Sequence, residues 1–62
     1  MKVSILFTND TTLDLEDVIR IEYQSYILDH VDNGITEKWI TFYKENSRLR
    51  FNSDNINGII ES

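Results

Sequence analysis

The sequence predicts an all-β fold, a small antiparallel meander of five or six strands curled into a barrel or roll. Apolar and polar residues alternate with period two, and β-branched and aromatic residues fill the alternating runs. Clusters of short polar residues separate these runs and indicate tight turns. The chain also nearly repeats itself, because residues 5–22 and residues 40–61 each read as a hairpin, an acidic corner and an apolar segment. We therefore expect two similar halves, each containing a hairpin.

The first hairpin is predicted to turn at residues 9–11, where Asn, Asp and Thr favour turn conformations. This turn places Phe7 opposite Leu13 and Ile5 opposite Leu15 on the inner side of the sheet. An acidic corner at residues 16–17 then ends the hairpin.

A long third strand is predicted over residues 18–31, with a bend at residues 24–25 that joins two sheets. A helix over residues 14–23 is the competing prediction. The strand is favoured because the side chains of Val18 and Ile19 are β-branched, and such side chains are stiff at χ1 in a helix.

The second hairpin is predicted to turn at Asn33-Gly34, the strongest short-range signal for a two-residue type I′ turn. The resulting register pairs Ile27 with Ile40, Leu28 with Trp39 and His30 with Glu37. The third hairpin is predicted to turn at Glu45-Asn46. Its register pairs Phe42 with Leu49, Ile40 with Phe51, Tyr43 with Arg48 and Thr41 with Arg50.

The chain is predicted to end with a corner at residues 53–55 and a closing strand over residues 56–61, in which Gly58 permits a bulge. Alternation then assigns every second side chain along each strand to the interior. The predicted core consists of Val3, Ile5, Phe7, Leu13, Leu15, Ile21, Tyr23, Ile27, Ile40, Phe42, Leu49, Phe51, Ile56 and Ile59.

Length and composition restrict the class of protein. The 62 residues form one predicted domain, residues 1–62, in which a single core is marginal, so we expect burial against a partner protein or a second copy, and we predict a homo-oligomer. Cysteine is absent, which excludes disulfides and thiolate metal sites. No run of residues approaches the roughly 20 apolar residues of a membrane span, and no signal peptide is recognised. We expect a soluble cytoplasmic protein that does not bind membranes.

The outer face of strands three to five is the most unusual predicted surface. Aromatic and arginine side chains are enriched at binding hot spots, and they gather on this face, opposite the core. The candidate partner-binding residues are Tyr26, Leu28, Trp39, Tyr43, Arg48 and Arg50. Coverage of this patch within the chain, with the arginines merely stacked on rings, is the alternative.

Acidic residues provide a second candidate surface. The net charge is −5, and residues 1–31 carry six acids against two bases, whereas residues 32–62 carry five against four. Spaced carboxylates on one strand face can imitate a phosphate backbone, although a solvated edge is the simpler interpretation. The acidic candidates are Asp10, Asp14, Glu16, Asp17 and Glu22.

Catalytic, metal and cofactor sites are not predicted. The single histidine, His30, lies beside a hairpin turn, and no thiol is present to act as a nucleophile. The loop at residues 29–34 resembles a calcium loop, but Val31 and Ile40 stand where that pattern needs ligands. No glycine-rich phosphate loop occurs. We therefore predict a protein that is not an enzyme and that binds no metal or cofactor.

Two motifs carry a family resemblance: residues 15–23, with Leu-Glu-Asp-Val followed by Ile-Glu-Tyr, and residues 49–56, Leu-Arg-Phe-Asn-Ser-Asp-Asn-Ile. Each motif follows a predicted hairpin with a polar turn. The two motifs resemble those of short uncharacterised β-rich proteins of phages and prophages of AT-rich Gram-positive bacteria. The resemblance covers most of the chain and implies a small host-directed inhibitor, such as an antagonist of a bacterial defence system, or a small phage regulator. It identifies no functional residue.

Three functions follow as hypotheses. The first is a non-enzymatic protein interaction module, a phage-encoded inhibitor or adaptor that acts on a host protein in the host cytoplasm. The second is a homo-oligomeric structural protein whose aromatic and arginine residues form the self-assembly interface. The third is a single-stranded nucleic-acid-binding module. The acidic net charge disfavours it, because counterion release adds affinity only where lysine or arginine side chains neutralise the phosphates.

Overall fold

The computed structural model describes residues 1–28 and 35–62. These residues form strands and one short 3₁₀ helix, with no α-helix in the described ranges. The elements are β1 (Val3–Phe7), β2 (Thr12–Leu15), β3 (Arg20–Leu28), β4 (Ile35–Tyr43), β5 (Arg48–Asn52), the 3₁₀ helix (Ser53–Asn55) and β6 (Ile56–Glu61). The predicted all-β class with about six strands is confirmed.

The strands form two antiparallel sheets of three strands each, in the orders β2-β1-β6 and β3-β4-β5. The last strand therefore pairs with the first, and the order departs from a simple meander. The β1-β2 hairpin lies in one sheet and the β4-β5 hairpin in the other, but β3 and β6, the segments that follow these hairpins, each join the opposite sheet, so the sheets do not coincide with the two predicted halves. The competing helix over residues 14–23 does not form, since β2 ends at Leu15 and β3 begins at Arg20.

The first hairpin has a register two residues away from the predicted one. Ile5 lies opposite Leu13, and Val3 lies opposite Leu15. The loop comprises residues 8–10, because the Phe7 amide donates to the Thr11 carbonyl at 2.9 Å. Asp10 closes this loop in the left-handed region with φ 67°. A three-residue hairpin loop commonly places its last residue there, which shifts the turn one residue toward the N-terminus.

The chain passes from one sheet to the other at the acidic corner, not at the predicted bend at residues 24–25. Asp17 adopts φ 59° and reverses the chain. Val18 then exchanges backbone hydrogen bonds with Met1, whereas the Ile19 amide donates to the Tyr43 carbonyl at 2.7 Å. Two successive residues thus belong to different sheets, and β3 pairs with β4 without interruption from residue 20 to residue 28.

The β3-β4 register differs from the prediction by four residues. Ile40 lies opposite Tyr23 instead of Ile27, and Trp39 lies opposite Gln24 instead of Leu28. Glu37 pairs with Tyr26. The predicted turn at residues 33–34 and His30 lie outside the described residues. Burial favours the observed register, because that register places the buried Phe42 opposite Ile21. The predicted register would place Phe42 opposite Ser25.

The other predicted local features are confirmed. The β4-β5 hairpin turns at residues 45–46, closed by the Lys44 amide donating to the Ser47 carbonyl at 2.8 Å, with all four predicted pairs in place. Residues 53–55 form a corner, in which the Asn52 side chain accepts from the Asp54 amide. The β1-β6 register shifts beside Gly58, which pairs with Leu6, while Phe7 pairs with residue 56.

The core is shared by both sheets. Six apolar residues are buried, namely Val3, Ile5, Leu15, Val18, Ile40 and Phe42, and six more pack around them, namely Phe7, Ile21, Leu49, Phe51, Ile56 and Ile59. Two predicted core residues are wrong: Leu13 is 36% exposed on the edge strand β2, and Tyr23 is 70% exposed on the edge strand β3. Val18 was missed because the crossing between the sheets buries it. The side chain of Ile27 is outside the described set.

The molecule is elongated, because the β3-β4 ribbon extends past β5. β5 ends opposite Trp39, so no third strand from the described residues pairs with the part of the ribbon from residue 25 to residue 28. The radius of gyration is 13.3 Å and the principal extents are 41 × 27 × 15 Å. A compact chain of this length has a radius of gyration of about 11 Å. A small core therefore supports a long, thin ribbon.

Candidate functional site

The outer face of the β3-β4-β5 sheet carries the aromatic and arginine residues that the sequence predicted there. Cross-strand partners in an antiparallel sheet share a face, so the register groups these side chains opposite the core. We define the aromatic/arginine face as Gln24, Tyr26, Trp39, Thr41, Tyr43, Arg48 and Arg50. Leu28, the remaining predicted member, lies in β3, and its side chain is outside the described set.

Arg50 occupies the centre of one half of this face. Its guanidinium carbon lies 4.5 Å from the centroid of the Trp39 ring and 5.6 Å from that of Tyr26. The Trp39 indole nitrogen donates to a Glu37 carboxylate oxygen at 3.3 Å, which helps to fix the ring. Stacking immobilises the arginine and leaves the edge of its guanidinium group free to donate hydrogen bonds outward.

Tyr43 organises the other half of the face. Its hydroxyl donates to a Glu22 carboxylate oxygen at 3.0 Å, and the Arg20 guanidinium lies 4.1 Å from its ring centroid. Arg20 also forms an ion pair with Glu22, with 3.3 Å between nitrogen and oxygen. The positive charge of Arg20 is thus neutralised locally. Arg48 and Arg50, by contrast, have no carboxylate partner among residues 1–28 and 35–62.

A shallow depression of about 150 Å³ lies between the two halves. Its lining consists of Gln24, Tyr26, Thr41, Tyr43, Arg48 and Arg50. Thr41 is only 3% exposed although it lies on the outer face, and its hydroxyl donates to the Gln24 side-chain oxygen at 3.2 Å. Small-molecule sites usually enclose about 300–1,000 Å³. The depression therefore suits a single polar or charged side chain better than a cofactor.

Sequence reasoning missed two members of this lining. Gln24 stands two residues before Tyr26, and alternation alone places both side chains on one face. Thr41 was assigned to the outer face opposite Arg50, but its burial depends on the neighbouring strands and is invisible in the sequence. A search of the outer face for amides and hydroxyls, in addition to aromatic and basic residues, would have found both.

The acidic candidates do not form one surface. Asp14 lies on β2 and accepts from the Ser4 hydroxyl at 2.6 Å, and Glu16 directly follows β2 and lies 3.8 Å from the Lys2 ammonium. Asp10 and Asp17 occupy the two backbone reversals with positive φ. Glu22 belongs to the other sheet, beside the aromatic/arginine face. The acidic half of the sequence is therefore dispersed over turns, one strand edge and a second sheet.

Among the described residues, no group of three or more histidine, cysteine, aspartate or glutamate side chains is placed to hold a metal ion. The loop at residues 29–34 lies outside those residues. In the part of the chain that the structure covers, no helix is both long enough and apolar enough to cross a membrane.

Comparison of the chain with known protein families, with curated proteins and with solved structures finds no match. The resemblance to small phage proteins thus remains a prediction from sequence motifs.

Proposed function

We propose that this protein is a non-enzymatic interaction module that binds a partner protein through the aromatic/arginine face. One observation carries the proposal: Arg48 and Arg50 border a polar depression beside aromatic rings, and neither is paired with a carboxylate within the described ranges. Immobilised aromatic and arginine side chains are the residues enriched at binding hot spots. A surface of this kind supports protein recognition more than it supports catalysis.

The chemistry of the depression favours a carboxylate from the partner. Two guanidinium groups can donate charge-assisted hydrogen bonds to one or two carboxylates, and the aromatic side chains of Tyr26 and Tyr43 supply flanking apolar area. The volume of about 150 Å³ corresponds to roughly five water molecules, enough for one inserted side chain. The partner segment that we propose thus presents an aspartate or glutamate side chain.

The biological setting of the proposal rests on the sequence resemblance. We propose a phage-encoded inhibitor or adaptor that acts in the host cytoplasm on a host protein, such as a component of a defence system. We further propose that the two sheets curl into a small roll, which the core shared between them supports.

A matched pair of tyrosines tests the proposal. Tyr26 and Tyr23 lie three residues apart on β3 and point to opposite faces, and both are exposed. Tagged wild type, Tyr26→Ala, Arg50→Glu and Tyr23→Ala are used to capture proteins from a lysate of a Gram-positive host, and the affinity for the captured protein is then measured by calorimetry. We expect Tyr26→Ala to weaken binding about tenfold or more, Arg50→Glu to abolish it, and Tyr23→Ala to bind as wild type does.

Two outcomes would contradict the proposal. If all four proteins capture the same partner with the same affinity, the aromatic/arginine face takes no part in recognition. Loss of binding in Tyr23→Ala alone would place the interface on the opposite side of the sheet. Circular dichroism spectra of the four proteins establish that each variant is folded before its affinity is interpreted.

A further inference from the structure

Among the described residues, four strands lie at the edges of the two sheets, β2 and β6 in one and β3 and β5 in the other, and β2 and β5 carry the charges that match. β2 pairs only with β1, and β5 pairs only with β4, within the ranges that the structure describes. Such an edge presents a row of backbone donors and acceptors that another strand can use. β2 and β5 do not pair with each other within one copy of the chain.

The two edges carry opposite charges at the same spacing. On β2 and its continuation, Asp14 and Glu16 are two residues apart, and on β5, Arg48 and Arg50 are two residues apart. All four are exposed and lie on the outer side of their sheets. Because successive same-face residues in a strand are about 6.6–6.8 Å apart, the two acids match the two arginines in register.

We infer that this protein self-associates by pairing β2 of one copy, antiparallel, with β5 of a second copy. The register that matches the charges places Asp14 opposite Arg50 of the second copy and Glu16 opposite Arg48 of the second copy. Opposite charges directly across an antiparallel pair stabilise it. The backbone edges supply hydrogen bonds, and the charges select the register.

The apolar sides of the two strands match in the same register. Leu15 falls opposite Leu49 of the second copy, and Leu13 falls opposite Phe51 of the second copy. Leu13 is 36% exposed, since no strand of the described ranges lies beyond β2, and Leu49 and Phe51 are only partly buried at the other edge. The pairing extends the apolar layer of one copy into that of the next and covers Leu13.

Existing contacts of the acids do not oppose the pairing. The Lys2–Glu16 ion pair is long, at 3.8 Å, and both side chains are largely exposed, so it contributes little. The Asp14 carboxylate accepts one hydrogen bond from Ser4 and retains lone pairs for a guanidinium group. Because the two contacting surfaces differ, the association is heterologous, and repetition produces a ring or a filament.

The inference rests on the proposed function in one respect, because it uses Arg48 and Arg50, but the occupant is a second copy and Tyr26 is not required. The two can therefore fail separately. Tyr26→Ala is expected to weaken capture of a partner and to leave self-association unchanged. The acidic edge variant Asp14→Arg/Glu16→Arg is expected to abolish self-association and to strengthen capture, because Arg48 and Arg50 are then no longer occupied by the acids of a second copy.

Charge reversal tests the pairing directly. Sedimentation velocity over a range of protein concentrations is measured for wild type, for Arg48→Glu/Arg50→Glu, for Asp14→Arg/Glu16→Arg, and for an equimolar mixture of the two variants. We expect wild type to associate, each variant alone to associate at least tenfold more weakly, and the mixture to recover association, since the mixture restores opposite charges across the edges. Added salt is expected to weaken the wild-type assembly.

Matched controls separate the pairing from changes in net charge. Lys38→Glu/Lys44→Glu alters the net charge as the arginine reversal does, and Glu45→Arg/Glu61→Arg alters it as the acidic reversal does, at positions outside both β2 and β5. Both controls are expected to associate as wild type does. If a reversed variant fails to fold, Arg48→Gln/Arg50→Gln and Asp14→Asn/Glu16→Asn replace it, with weaker association expected in each.

Three results would overturn the inference. One is a wild type that stays monomeric up to its highest soluble concentration. Another is an assembly that persists unchanged in both charge-reversed variants. The third is a mixture of folded variants that does not recover association.

Discussion

At the scale of single residues, Phe42 is the largest fully buried side chain in the described chain. It lies opposite Ile21 and Leu49, and its ring meets that of Phe51 edge-on with 6.1 Å between centroids. Truncating such a ring costs about 3–5 kcal/mol, whereas a chain of this length has a total stability of about 3–9 kcal/mol. We expect Phe42→Ala to be largely unfolded at room temperature, as measured by far-ultraviolet circular dichroism with urea titration.

Tyr23→Ala is the control for this substitution, because it also removes an aromatic ring from the core-facing side of the same sheet. Tyr23 is 70% exposed, so its removal creates no cavity. We expect a loss of less than about 1 kcal/mol, from strand preference alone. Equal losses in the two variants would mean that the ribbon packs differently from the arrangement described.

At the scale of elements, the crossing between the sheets depends on the backbone of Asp17. Its φ of 59° lies in the left-handed region, which β-branched residues avoid at a cost of about 1–2 kcal/mol. We expect Asp17→Val to lower the free energy of unfolding by about that amount. Asp17→Asn removes the same charge and tolerates this conformation, so it should stay within about 0.5 kcal/mol of wild type in the same urea titrations.

The elements also explain which parts of the fold were predictable from sequence. A two-residue loop fixes a hairpin locally, and the β4-β5 register was predicted correctly. The β1-β2 loop has three residues, and its position depends on which residue adopts positive φ. The β3-β4 register is set by burial of Phe42 against Ile21, a contact between residues 21 positions apart that no local pattern encodes.

The errors of register were two and four residues, and both numbers are even. Because strand side chains alternate with period two, an even shift changes each partner but keeps every side chain on its face. The aromatic/arginine face was therefore assembled correctly from the sequence, although Trp39 was paired with the wrong residue. The burial of Thr41 and the exposure of Tyr23 depend on where neighbouring strands end, which alternation does not specify.

At the scale of the whole molecule, the net charge of −5 opposes binding to nucleic acid. Of the three arginines near the aromatic/arginine face, Arg20 is already neutralised by Glu22, whereas Arg48 and Arg50 form no ion pair within residues 1–28 and 35–62 and could meet phosphates. So few phosphate contacts give weak binding that salt removes. We expect no change in the fluorescence anisotropy of a labelled single-stranded oligonucleotide at physiological salt.

Salt-sensitive binding of the oligonucleotide that Trp39→Ala abolishes would contradict this expectation and would support a stacking platform for bases. Trp39 is the single tryptophan of the sequence, so quenching of its intrinsic fluorescence provides an independent readout of ligands on the face. Tyr23→Ala again serves as the control, because it leaves the face unchanged.

Because β5 ends opposite Trp39, the backbone should open on different time scales on the two sides of that position. The aromatic/arginine face crosses a boundary: Thr41 and Tyr43 lie where the sheet has three strands, whereas Tyr26 lies on the two-stranded part of the ribbon. A two-stranded ribbon is marginally stable without a third strand or a packed layer. Amide hydrogens near Tyr26 should therefore exchange with solvent by local opening, while those near Phe42 should exchange only when the whole molecule unfolds. A ligand that contacts both the two-stranded and the three-stranded part of the face would slow exchange of the amide hydrogens near Tyr26.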